Sequence, residues 1–188
     1  MKDIVFFGIQ GSGKGTQAKL LLQKYPEFQY LEPGQIFRAL NSNENLISNY
    51  VKETVAKWEM VSDNLLFDLV TLCSHIVKEK PMLMDGFPRT KAQMEFFLKT
   101  EIEEGRDFIA INFNLSREKA IERIKQRAIE QNRTDDVDES IKKRLEAFEK
   151  ETMPVINHLR EMDKIIDIDA DQPIETILEE VINIIEKK

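Results

Sequence analysis

The stretch Gly8-Ile-Gln-Gly11-Ser-Gly13-Lys14-Gly15-Thr16 constrains this chain more than any other. It follows Asp3–Phe7, a short apolar run that reads as a buried parallel strand, and precedes Gln17–Gln23, a good helix former. Strand, glycine loop and helix in this order make a phosphate cradle. Glycines let the backbone turn several N–H groups inward, and the helix N-terminus adds partial positive charge. Lys14 is placed to reach the terminal phosphates of a nucleotide. The general pattern has Ser or Thr directly after the lysine; here Gly15 intervenes and Thr16 follows. A glycine-and-lysine match alone could be an ordinary loop, and it is the flanking strand and helix that favour phosphate.

Five segments read as strands, with helical patterns between them: Asp3–Phe7, Phe28–Leu31, Pro81–Asp85, Phe108–Asn114 and Lys164–Ile168. Such alternation predicts an α/β fold of three layers, a five-stranded parallel sheet with helices on both faces. The stretch between the second and third strands exceeds what one crossover helix needs, so residues 32–61 are expected to form a small helical insertion. Val137, Ile141, Leu145, Phe148, Thr152, Ile156 and Leu159 are spaced for a long helix near 137–163, which Pro154 should kink or divide. Pro173 opens a last helix with the stripe Ile174, Ile177, Leu178, Val181 and Ile185. Ligands of open parallel sheets sit at the carboxyl ends of the strands. That rule singles out the glycine loop and Asp85-Gly-Phe-Pro-Arg-Thr90.

At 188 residues the chain suits one sizeable domain. A net charge of −7 argues against broad nucleic-acid or membrane binding, so any positive charge used on nucleotides must be concentrated locally. No run approaches a membrane span, and the protein reads as cytoplasmic, with a monomer as the default state. Cys73 is the single cysteine, which excludes an internal disulfide and a cysteine-based structural zinc site; its apolar helical setting reads as core.

Asp85 ends an apolar strand, where a lone carboxylate is costly unless hydrogen-bonded or near a cation. A helix cap or turn is the plain reading; beside a phosphate loop, Mg²⁺ held directly or through water is the favoured one. Gly86 and Pro88 shape a tight turn that presents Arg89, with Gln93 one helical turn later. Arg123 and Arg127 share one helix face, and Arg133 and Arg144 flank Asp135 and Asp136. Any one of them could be a solvated surface arginine. As an ordered set they suit phosphate, because the guanidinium fork binds it in a bidentate way and never deprotonates. His75 and His158 lie in helical patterns and read as incidental.

Taken together, Gly8-x-x-Gly11-x-Gly13-Lys14-Gly15-Thr16-Gln17, Asp85-Gly-Phe-Pro-Arg-Thr-x-x-Gln93, Arg123-x-x-x-Arg127 and Arg133-Thr-Asp135-Asp136 with Arg144 resemble the adenylate kinases, in order and over essentially the whole chain. The resemblance implies a P-loop kinase fold in which residues 32–61 bind a nucleoside monophosphate. It implies reversible, Mg²⁺-dependent phosphoryl transfer from ATP to AMP, giving two ADP. By the same resemblance Gly11, Ser12, Gly13, Lys14, Gly15 and Thr16 hold the donor phosphates, and Arg123 stacks on the donor adenine near Gln172. Arg127, Arg133 and Arg144 surround the transferred group. Gly34, Arg38, Val61, Gly86, Arg89 and Gln93 make the acceptor site, to which Arg133 and Arg144 also contribute, and Asp85 orders Mg²⁺ through water. Asp135 and Asp136 support the closed form.

Two departures from the family pattern stand out. Only five residues, Ala128–Asn132, separate Arg127 from Arg133, so the lid is expected to be a short loop over 127–135 without the lid domain, sometimes closed by a cysteine zinc site, of many members. The usual Ser-Thr-Gly-Asp before the acceptor arginine reads Glu32-Pro33-Gly34-Gln35 here, and Glu32 adds a negative charge that would oppose an anionic acceptor if it faces inward. Asp169-Ala170 also replaces the customary Asp-Gly. Two other readings stay open on the sequence. One is a kinase for UMP, CMP or another monophosphate; the other is a nucleotide-binding module without turnover.

Overall fold

The computed structural model describes residues 2–40, 44–56, 61–130 and 138–187. Strands β1 (Asp3–Gly8), β2 (Gln29–Leu31), β3 (Met82–Asp85), β4 (Phe108–Asn114) and β5 (Ile165–Asp169) form one sheet in the order β2-β3-β1-β4-β5. Every neighbouring pair is parallel. The central strand β1 is therefore flanked by β3 and β4, with Phe6 opposite both Asp85 and Ile111.

Each strand sends alternate side chains to opposite faces, which explains the near-continuous apolar runs. Ile4 and Phe6 of β1 join Leu83, Ile109, Ile111 and Phe113 under helices α1 (Lys14–Lys24) and α9 (Ile174–Lys187), through Ala18, Leu21, Ile177 and Val181. Val5 and Phe7 face the other way, with Met82, Met84 and Ala110. There they meet α4 (Asp63–Val77), α5 (Lys91–Glu103) and α8 (Met153–Glu161) through Val70, Phe97, Ile156 and Leu159. A third cluster lies beyond the strand ends. In it Ile9 of the glycine loop packs on Ala120 and Ile124 of α6 (Arg117–Glu130), and on Ile141 and Leu145 of α7 (Asp138–Ala147). The glycine loop is thus seated directly on the helix that carries Arg123 and Arg127.

The expected strands fall within a residue or so of the observed ones. Helices α2 (Pro33–Leu40) and α3 (Leu46–Ala56) stand between β2 and α4. The helix expected near 137–163 is divided, as Pro154 demanded. It widens into a π-helical turn at Phe148–Thr152 and resumes as α8, with the proline in its first turn, where no N–H is needed. Cys73 is half-buried against the core instead of inside it. No helix among the described residues is long and apolar enough to cross a membrane.

Candidate active site

The loop after β1 is a tight turn that only glycine permits. Gly11 has φ +87°, and a Cβ there would lie 2.8 Å from the Ala120 carbonyl oxygen. Only glycine permits both this conformation and the approach to α6. The turn closes through Ser12 N–H to the Ile9 carbonyl at 3.1 Å, and Thr16 and Gln17 N–H groups both reach the Gly13 carbonyl at 3.0 Å. Gln17 then anchors α1 to α9 by donating to the Ile174 carbonyl at 2.9 Å.

Lys14 folds back over this loop. Its Nζ donates to the Gly8 carbonyl at 2.7 Å, to the Ile9 carbonyl at 3.1 Å and to Ser12 Oγ at 3.3 Å. The ammonium is screened from water there, which lowers its pKa from 10.5 to about 8, while Asp85 pulls in the opposite direction. Neutral acceptors now hold it where a polyanion's oxygens would make stronger, charge-assisted bonds.

Asp85, at the carboxyl end of β3, is 7% exposed, and its burial raises the carboxyl above its ordinary value, with Lys14 pulling it down. Tyr30 at the end of β2 reaches it, Oη to Oδ2 3.5 Å. The next turn is locked by its own side chains around a cis Phe87–Pro88 bond. Arg89 Nε donates to the Gly86 carbonyl at 2.7 Å, and Arg89 N–H donates to Gln93 Oε1 at 2.8 Å. Thr90 caps α5 by accepting from Gln93 N–H at 3.2 Å. Thr152 Oγ1 donates to the Arg89 carbonyl at 3.0 Å, tying the π-helical turn to this loop. Gln93 itself is 2% exposed, and its Nε2 donates to Asp63 Oδ1 at 2.8 Å.

Lys14 lies within electrostatic reach of Asp85, Arg89, Arg127 and Glu32, and Arg89 within reach of Asp85, Arg144, Glu32 and Arg38. These residues come from five separate stretches of chain, and the fold draws them to one end of the sheet. Arg123 stands apart. It donates to the Ala170 carbonyl at 2.9 Å and lies 3.5 Å from Asp171. With Lys119, Glu122, Gln126 and Asp171 it lines an open cleft of about 440 Å³. Gln172, beside it, donates to the Asp169 carbonyl at 3.2 Å and to Glu180 at 3.1 Å. Ala170 needs no left-handed backbone, which is how alanine can replace the customary glycine. Gly34 and Arg38 sit on α2, and Val61, half-buried, packs on the core ahead of α4. Arg133, Asp135 and Asp136 lie outside the described residues, as does the 131–135 part of the expected lid; Arg127–Glu130 continue α6.

Sequence reasoning passed over Tyr30, although its place at the carboxyl end of a strand marks it. It also passed over Lys119, four residues before Arg123 on one helix face, and read Thr152 only as part of an apolar stripe. Among the described residues no group of three or more His, Cys, Asp or Glu side chains could hold a metal ion.

A sequence profile for the family described as adenylate kinase matches residues 6–164. An adenylate kinase of Phocaeicola vulgatus is 30% identical over 189 residues, covering 100% of both chains. Adenylate kinase 1 of Schistosoma mansoni is 33% identical over 182 residues, covering 96% of this chain and 90% of its own. One from Bacteroides thetaiotaomicron is 32% identical over 159 residues, 84% of each. With a glycine loop on the central strand, an Asp-Gly-Phe-Pro-Arg turn on its neighbour, a family profile over residues 6–164 and a relative that matches end to end, the chain belongs to the adenylate kinase family.

Proposed function

We infer that the chain is a phosphotransferase that moves the terminal phosphoryl group of ATP reversibly to AMP, giving two ADP. One observation carries this reading: the Lys14 loop and the Asp85–Arg89 turn leave adjacent parallel strands at the same end, with Phe6 and Asp85 in register. Donor and acceptor phosphates bound to those two segments meet between them.

The acceptor phosphate is already an anionic nucleophile, so the chemistry calls for no general base. It calls for cations around two polyanions and around a loose transition state whose charge sits on the transferred oxygens. Lys14 and the glycine loop, residues 11–16, hold the donor phosphates. Arg127, Arg133 and Arg144 surround the group in transit, and Arg38 and Arg89 hold the acceptor phosphate. Arg123 packs on the donor base in the cleft it lines, next to Gln172. Gly34, Val61 and the backbone at Gly86 border the acceptor nucleoside. Gln93 meets the acceptor base with its second amide N–H, the first being given to Asp63. Asp135 and Asp136 support closure of the short lid, which excludes water and so protects the phosphoryl group from hydrolysis.

Mg²⁺ fits this site: a single hard carboxylate at Asp85 beside a phosphate loop suits an ion that keeps its water shell and takes its remaining oxygens from substrate. Bound there through water, it would neutralise charge on the donor phosphates. The same reading has the protein working as a cytoplasmic monomer on ATP and AMP, without nucleic acid or membrane.

Coupled measurement of ADP formation tests the assignment. Lys14→Met should lower kcat by at least about 10³-fold, the scale on which removing transition-state charge stabilisation acts, and chelating Mg²⁺ with EDTA should abolish turnover. Retained turnover in Lys14→Met would sink the phosphate-loop assignment.

A further inference from the structure

Arg38, the acceptor-side arginine of the reading above, already has an anionic partner inside the chain. Its Nη2 donates to Glu32 Oε1 at 2.6 Å. The other carboxylate oxygen of Glu32 accepts from the Tyr30 hydroxyl at 3.0 Å, and the same hydroxyl lies 3.5 Å from Asp85. Glu32 is fixed at its backbone too. Its carbonyl accepts from Gln35 N–H at 2.9 Å and from Ile36 N–H at 3.3 Å, which pins it to the first turn of α2. Gly34 leaves the space for the pair: a Cβ there would lie 3.2 Å from Arg38 Nη1 and 3.9 Å from Glu32 Oε1. The side chains are 45% exposed at Arg38 and 25% at Glu32. A ligand can therefore reach the pair, and a partly solvated pair of this kind is weak enough to be exchanged.

Resting on the acceptor-site reading, we propose that Glu32 is an internal stand-in for the acceptor phosphate: its carboxylate holds Arg38 while the site is empty, and an incoming nucleoside monophosphate has to take the guanidinium from it. The carboxylate offers one oxygen to Arg38, whereas a phosphate dianion offers two with more charge, so phosphate wins the exchange. Tyr30 keeps the displaced carboxylate close. Its charge then stays near the bound phosphate and near Arg89, which already lies in the field of Glu32. Glu32 is thus a positioning residue acting through Arg38, and it weakens acceptor binding while leaving donor binding alone. This turns the negative charge noticed in the sequence into a setting of acceptor affinity.

Glu32→Gln keeps the size of the side chain and can still accept from Tyr30 while removing the charge. The KM for AMP should fall about three- to fivefold, with the KM for ATP shifting less than about twofold. Loss of a merely structural residue would raise KM or lower kcat instead. Titration of AMP into the ATP-free protein by calorimetry should show the same tightening, and Glu32→Asp, which keeps the charge, should return the KM for AMP toward wild type. An unchanged or higher KM for AMP in folded Glu32→Gln overturns the proposal. Should Glu32→Gln fail to fold, Glu32→Ser removes the carboxylate another way and is read identically. A wild type that binds AMP without turnover would defeat the activity reading alone, and the calorimetric comparison would still decide the role of Glu32. A wild type that binds no AMP would overturn both.

Discussion

At the scale of single residues, the cations of the site are held by the loops that carry them. Lys14 is held by the Gly8 and Ile9 carbonyls and Ser12, and Arg89 by the Gly86 carbonyl. Each cation is pre-placed by neutral acceptors that a phosphate oxygen outbids, so binding exchanges weak partners for charged ones. Arg89 lies on the turn proposed to hold the acceptor phosphate, and on that proposal its loss should be felt on one substrate. Arg89→Ala is expected to lower kcat/KM for AMP at least about 10²-fold, the size of one lost transition-state contact, while ATP affinity measured alone changes less than about threefold. Steady-state kinetics and ATP titration check this; equal losses on both substrates would make Arg89 a structural residue.

Among the elements, α5 runs from the Asp85–Arg89 turn toward the far end of the sheet. Its first turn carries Gln93; near its last turn Glu101 is 3% exposed beside Asp3, which Arg106 binds at 2.6 Å. Burial, with the Asp3 charge second, raises the Glu101 carboxyl from 4.5 to about 8. The unfolded chain gives up this proton near 4.5 and the folded one near 8, so between those values the folded state binds more protons. Its stability must then fall as pH rises through that window, by up to about 1.4 kcal/mol per unit. Glu101→Gln should remove this slope and be the more stable form above pH 8. Thermal denaturation of both proteins from pH 5 to 9 checks it, and parallel curves would contradict the burial of a protonated carboxyl.

The elements themselves were readable because apolar runs and glycine–proline punctuation are local signals: β1, the glycine loop, β4 and the break before Pro154 all follow from them. The phosphate-loop and Asp85–Arg89 segments were legible for the same reason, since strand ends locate ligands. What the sequence could not convey was pairing. Whether Glu32 faces Arg38 or solvent depends on side-chain rotamers and on the room above Gly34. That Gln93 is shared between Arg89 and Asp63 depends on how α4 and α5 pack. Glu101 carries no mark of burial in a segment as charged as Thr100–Asp107.

For the whole molecule, one parallel sheet collects the loop after β1, the turn after β3, Tyr30 and Glu32 after β2 and the arginines of α6 and α7 at a single end. Asp3, Glu101 and Arg106 serve the other. On the proposed reading acceptor identity is the central matter, because Glu32-Pro33-Gly34-Gln35 departs from the family pattern while the glycine loop keeps it. The most direct test is ADP formation from ATP and Mg²⁺ with AMP, UMP, CMP and GMP supplied in turn. Fast turnover with AMP and little with the other three is the expected result. Preference for another base would contradict the assignment of the acceptor, and no turnover with any of the four would contradict phosphoryl transfer itself.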